Sequence, residues 1–202
     1  SANITTSGAQ LFENTMVIGG NTTLTSTGGT ITTNGEINSA VNGSNTLTFS
    51  SSGNTFINDD IGSGNKLAGL TFSGTGSTVI DANTIVTQGS QTYNRPISVV
   101  TTGDTLFNAI GGSSDITLAS TLTWSTANTI TIDAGDDIVI NGAISGVNGS
   151  LALSAGNTAQ SITTGVNGDV AVANFDLMQG HWYQVGSLPD FNVTDDFQLN
   201  SG

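Results

Sequence analysis

A length of 202 residues suits one ordinary domain, and an apolar fraction of 36% is low for a thick globular core yet too high for disorder. Only Lys66 and Arg95 are basic against 15 acidic residues, giving a formal net charge of −13. That balance argues against nucleic-acid partners, whose phosphates require clustered cations, and disfavours anionic membrane surfaces.

Thr, Ser, Asn and Gly dominate the chain, only 8% of it is charged, and it has no cysteine. This is an extracellular composition, and exported solenoids dispense with disulfides because ladder hydrogen bonding stabilises them along their length. A thin core suits a fold in which each coil buries a narrow inner stripe and relies on its neighbours to cover it. Ser1 to Thr6 is polar, lacks an initiating Met and shows no leader pattern; no apolar run approaches the roughly 18 residues of a membrane span. Both ends are read as boundaries of a piece cut from a longer chain.

In chain order, short β-patterned runs are expected at Thr22 to Thr25, Thr30 to Thr33, Thr46 to Ser50, Leu70 to Ser73, Thr78 to Asp81, Ile116 to Leu118, Thr121 to Trp124, Thr129 to Asp133, Ile138 to Asn141 and Leu151 to Ser154. Alternation such as Thr129-Ile130-Thr131-Ile132 turns aliphatic side chains to one face and hydroxyls to the other. Gly28-Gly29, Asn34-Gly35, Asn42-Gly43 and Asn148-Gly149 punctuate the runs and are expected to supply the positive φ of tight corners. No helix is expected before Ala171.

A degenerate repeat links Asn34-Gly35-Glu36-Ile37 and Val41-Asn42-Gly43-Ser44 to Asn141-Gly142-Ala143-Ile144 and Val147-Asn148-Gly149-Ser150, with a partial copy at Ile57-Asn58-Asp59-Asp60-Ile61. Short strands recurring at a coil spacing of roughly 20 to 25 residues predict an all-β, right-handed parallel β-helix, a β-solenoid with irregular coils. An antiparallel β-sandwich is the alternative, since it also uses short alternating strands. Residues 1–173 are read as the solenoid and 174–202 as an aromatic terminal or capping segment.

The run Gln88-Gly89-Ser90-Gln91-Thr92-Tyr93-Asn94, followed by Ile97, Val99 and Asp104-Thr105-Leu106, resembles a unit of the filamentous haemagglutinin-like large exoproteins, biofilm adhesins of the two-partner secretion type. Asn174-Phe175-Asp176-Leu177 with Gly180, Trp182, Gln184, Leu188-Pro189-Asp190-Phe191 and Asp196-Phe197 is similar to the segment that ends their filament repeats. The resemblance covers the second half well and the first half only in texture. It implies a repeat or stalk fragment of a secreted adhesin, exported through the outer membrane by a partner transporter and held at the cell surface or in biofilm matrix, where it meets extracellular polysaccharide or a host or neighbouring cell. The Asn-Pro-Asn-Gly type signature of the family's secretion domain is missing, so that domain is not expected here.

Asp133, Asp136 and Asp137 form the densest acid cluster, beside the pairs Asp59-Asp60 and Asp195-Asp196. Such oxygens could hold Ca²⁺, although no EF-hand spacing occurs and Gly111-Gly112-Ser113-Ser114-Asp115 only faintly matches a calcium-binding solenoid repeat. No other cofactor is expected, and the competing reading is solvated corner carboxylates. His181, Trp182 and Tyr183 offer aromatic faces able to stack on sugars, against the plainer reading of a cap over the last coil. Trp124 reads as packed or as an isolated surface aromatic.

An enzyme is not expected. A polysaccharide-degrading β-helix would need cations to hold an acidic substrate, and one His without Cys leaves no nucleophile system. An ice-binding β-solenoid is the remaining alternative, through Thr-x-Thr triplets at Thr23, Thr30, Thr46, Thr121 and Thr129; their irregular spacing and their absence from the middle of the chain count against it.

Overall fold

The computed structural model describes residues 2–156, 161–164, 170–179, 181–184 and 191–199. Every strand pairing among them is parallel, so the chain is a parallel β-solenoid and not an antiparallel sandwich. No helix occurs among the described residues.

Each coil contributes one strand to each of three ladders. Face A stacks Ala2–Thr6, Thr22–Ser26, Thr46–Ser51, Gly69–Gly74, Gln91–Tyr93, Ile116–Leu118, Ile138–Ile140, Ser161–Thr164 and His181–Gln184 in that order. Face B begins at Gln10–Phe12 and runs through Ile31–Thr33, Thr55–Ile57, Thr78–Ile80, Ile97–Val99 and Leu122–Thr123. Face C holds Met16–Ile18, Ile37–Ser39, a bridge at Ile61, then Thr84–Thr87, Thr105–Ala109 and Thr129–Ala134. The long strand Ile144–Ala155 pairs with Leu122–Thr123 at its start and with Thr129–Ala134 further on, so it serves both faces B and C.

The coil length varies while the pairing holds. Along face A the partner lies 20 residues on at Ala2/Thr22, 25 at Thr22/Leu47 and 21 at Leu70/Gln91. The corners absorb the difference. The sequence repeat is therefore not a coil repeat: Ile37 and Ile61 are bridged rungs of face C, whereas Ile144 lies on face B, one face out of phase. Matching corners, not matching coils, produced the similarity.

Alternation buries every second side chain, and in-register stacking lines these up as rows along the axis. One inward row of face A is Leu24, Phe49, Phe72, Tyr93, Leu118 and Ile140, all buried. Phe49 and Phe72 stack with ring centroids 4.9 Å apart, Phe72 and Tyr93 at 5.4 Å, and Phe107 of face C closes edge-on at 5.6 Å. The neighbouring row, Leu47, Leu70, Gln91, Ile116 and Ile138, contains a buried amide. Gln91 Nε2 donates to the carbonyls of Ile85 and Asn108 and to Thr87 Oγ1, while its Oε1 accepts from the Tyr93 hydroxyl at 2.9 Å. Full satisfaction is what lets a Gln occupy a core rung.

Burial holds the Tyr93 phenol well above its usual range near pH 10. The unfolded chain releases this proton near pH 10 while the native chain keeps it. Stability is therefore intact below about pH 10 and declines above it, by up to about 1.4 kcal/mol per pH unit. Urea unfolding at pH 8 and pH 11 should show this slope, and Tyr93→Phe should flatten it relative to wild type at a cost of about 1 kcal/mol for the partner lost by Gln91. An equal slope in both proteins would contradict the assignment.

The corners differ from expectation in one respect. Positive φ occurs only at Gly43, Gly62, Gly74 and Gly156, and at no Asn or Asp, among the described residues. Asn and Asp serve another purpose there: their side-chain oxygens accept N–H groups of the following coil. Asn54 Oδ1 takes the Ser77 N–H at 3.1 Å, Asp60 Oδ1 those of Asn83 and Thr84, and Asp104 Oδ1 that of Thr129 at 2.7 Å. These bonds carry the inter-coil ladder past the points where strands end. Val170–Gln179 spans position 173/174 with a register irregularity between Val172 and Asn174, and His181–Gln184 and Phe191–Leu199 add further parallel rungs.

Candidate functional site

The structure divides the acid cluster. Asp136 and Asp137, at the corner after Thr129–Ala134, group with Asp115 of the preceding coil, their carboxylate oxygens within 4.8 Å of one another. Asp133 stands apart on face C, where the Asn108 amide of the adjacent rung donates to it at 3.2 Å. Coil stacking, invisible to linear spacing, chose the third partner. Partial burial and the negative charges of Asp137 and Asp115 hold the Asp136 carboxyl above the usual carboxylate range. Asp115 Oδ1 also accepts the Asp137 N–H at 3.2 Å. The pair Asp59-Asp60 lies at the B/C corner, where Asp60 acts as a splice between coils.

His181, Trp182 and Tyr183 pair in register with Ser161, Ile162 and Thr163 on face A. Their side chains, those of Asp195, Asp196, Phe191 and Phe197, and the whole of Leu188-Pro189-Asp190 lie outside the described residues.

Trp124 is packed, with 4% of its surface exposed. Its indole fills a corner directly against Gly146 and Gly149 of the next coil, and a Cβ at either glycine would overlap the ring. This close approach explains why two glycines interrupt the long strand where its register shifts. Gly146→Ala should therefore lower stability by about 1–3 kcal/mol through overpacking. Thermal unfolding should show partial rescue by Trp124→Leu in the double variant; purely additive losses would count against this packing.

The five Thr-x-Thr triplets do not form one array. Thr23 and Thr46 begin triplets on face A, Thr30 and Thr121 on face B, and Thr129 on face C. A different array emerges from the register: Thr23, Thr48, Thr71, Thr92 and Thr117 are consecutive outward rungs of face A. All five are half-buried, and none of their hydroxyls is hydrogen-bonded to another described residue. Beside them runs a second outward row, Thr5, Thr25, Ser50 and Ser73. Thr71, Thr92 and Thr117 carry no triplet, so scanning for triplets missed them; counting rungs would have found them.

The fold and this face together define a parallel β-solenoid with one hydroxyl-lined side. Comparison with family models, curated proteins and solved structures finds no match.

Proposed function

We propose that the chain is a structural and adhesive segment of a secreted bacterial surface adhesin, a rigid stalk whose polar sides make weak multivalent contacts with matrix polysaccharide or a neighbouring cell. The observation that carries this reading is the in-register stack, in which ladder pairing and Asx splices run from coil to coil. Such stacking makes a stiff rod, and repetition converts weak contacts into useful avidity. The composition and the likeness to filamentous haemagglutinin-like exoproteins supply the cell-surface setting, with the partner transporter acting on the full-length protein.

The test is a glycan array together with a cell-surface pull-down, using the purified chain with and without Ca²⁺ and a folded Trp182→Ala variant. Selective binding to polysaccharide or cells is expected, and its loss in Trp182→Ala would place the adhesive contact near the C-terminal rungs. Absence of any binding by the wild type would overturn the adhesive part and leave a spacer. The threonine row also favours a second reading, an ice-binding solenoid, which inhibition of ice recrystallisation would reveal.

A further inference from the structure

We infer that the ligand of face A is a neutral, hydroxyl-rich linear polysaccharide lying along the solenoid axis and contacted once per coil by Thr23, Thr48, Thr71, Thr92 and Thr117. This rests on the adhesive reading above and assigns it to one face.

Thr suits any exposed strand, so its presence alone means little. Faces B and C are the internal comparison. They meet the same strand requirement, yet the outward row of face B reads Leu11, Thr32, Phe56, Val79, Ser98 and Thr123, and that of face C includes Val17 beside Asn38. Among the described residues, only face A keeps an unbroken hydroxyl row through five rungs.

Charge points the same way. Glu13, Glu36, Asp59, Asp60, Asp81 and Asp104 lie at the corner between faces B and C, whereas Asp115, Asp136 and Asp137 stand at the corner between faces C and A, beside Thr117, where they repel a polyanion approaching face A. The threonine row and the row Thr5, Thr25, Ser50 and Ser73 on one side of it contain no ionisable group. Arg95 is buried, which leaves Lys66 as the one cationic side chain among the described residues able to meet a ligand. A polyanion would face a net charge of −13 with almost nothing to offset it, whereas a neutral polyol meets unpaired donors and acceptors.

The row is also prepared for contact. Rungs recur about every 4.8 Å, so five span roughly 19 Å, with the second row about 6.6 Å to the side. The inward neighbours of the row, Leu24, Phe49, Phe72, Tyr93 and Leu118, are close-packed and buried, which fixes the hydroxyls before binding and lowers the ordering cost. Individually weak contacts then add along one polymer strand.

Calorimetric titration of the full chain with cellulose and chitin oligomers of increasing length, and with alginate oligomers as the anionic probe, tests this. Affinity for a neutral oligomer should rise with length until it spans the row. The triple variant Thr48→Val, Thr71→Val, Thr92→Val keeps the β-branched shape and should bind at least about tenfold more weakly. Ser98→Ala, Thr123→Val, Ser145→Ala on face B should bind as wild type. Binding that survives the face A variant, or falls equally in the face B variant, overturns the site while the adhesive reading stands. A preference for alginate overturns the neutral ligand. No binding to any oligomer overturns the inference, and retained cell pull-down would show that adhesion lies elsewhere on the chain. Inhibition of ice growth without oligomer binding would give the row to an ordered water lattice instead.

Discussion

Replacement of Phe72 by Ala is expected to remove about 3–5 kcal/mol of stability. The side chain is fully buried and is the middle ring of the stack, 4.9 Å from Phe49 and 5.4 Å from Tyr93. Its loss forfeits the transfer of a large apolar group, leaves a cavity that fixed rungs above and below cannot close, and breaks two ring pairs worth about 0.5–1.5 kcal/mol each beyond their area. Phe72→Leu should cost less than half as much, because it fills most of the space. A single domain commonly has about 5–15 kcal/mol in total, so the Ala variant approaches the limit. Hydrogen exchange should show the opening centred on rungs Leu47 to Tyr93, since in a solenoid each coil depends on its nearest neighbours. Uniform acceleration along the chain would contradict that locality.

Arg95→Ala should cost about 3 kcal/mol, for a different reason. The side chain is 2% exposed and no carboxylate is among its hydrogen-bond partners. It reaches back across preceding coils at the corner between faces A and B, donating from Nε to Thr78 Oγ1 at 2.9 Å and from Nη1 to Ser51 Oγ at 2.9 Å and the Ser73 carbonyl at 3.0 Å. Burial lowers its pKa to about 10, the desolvation cost of holding a cation among dipoles alone. Deleting it strands several buried acceptors and empties the corner. Arg95→Lys should be nearly as damaging, because an ammonium on a flexible stem cannot reproduce the planar, multidentate reach of a guanidinium. Urea midpoints for both variants within error of wild type would show that the corner repacks freely.

Strand runs with clean alternation were legible in the sequence: Ile116–Leu118 coincides with the expected run, and Thr46–Ser51 and Thr129–Ala134 differ from theirs by one residue at an end. Ile37–Ser39, Thr55–Ile57 and Gln91–Tyr93 were not expected as strands. Three residues give alternation little to register, and in Gln91–Tyr93 a polar side chain occupies the core position. Gln91 and Arg95 look like surface residues until the acceptors around them are known. The candidate sites were harder to read, because a solenoid gathers residues about one coil apart by amounts the corners decide. Asp115 joins Asp136 and Asp137 for that reason, and the threonine row assembles despite uneven gaps.

Variable coil length on a fixed ladder means that the height of this rod is counted in rungs, not residues. The 20 residues from Ala2 to Thr22 and the 25 from Thr22 to Leu47 each raise it by the same single strand spacing of about 4.8 Å. Corners can therefore gain or lose residues, and so change what the sides display, without changing the distance along the axis between any two rungs. Reach and display are separate variables in such a chain, open to independent change.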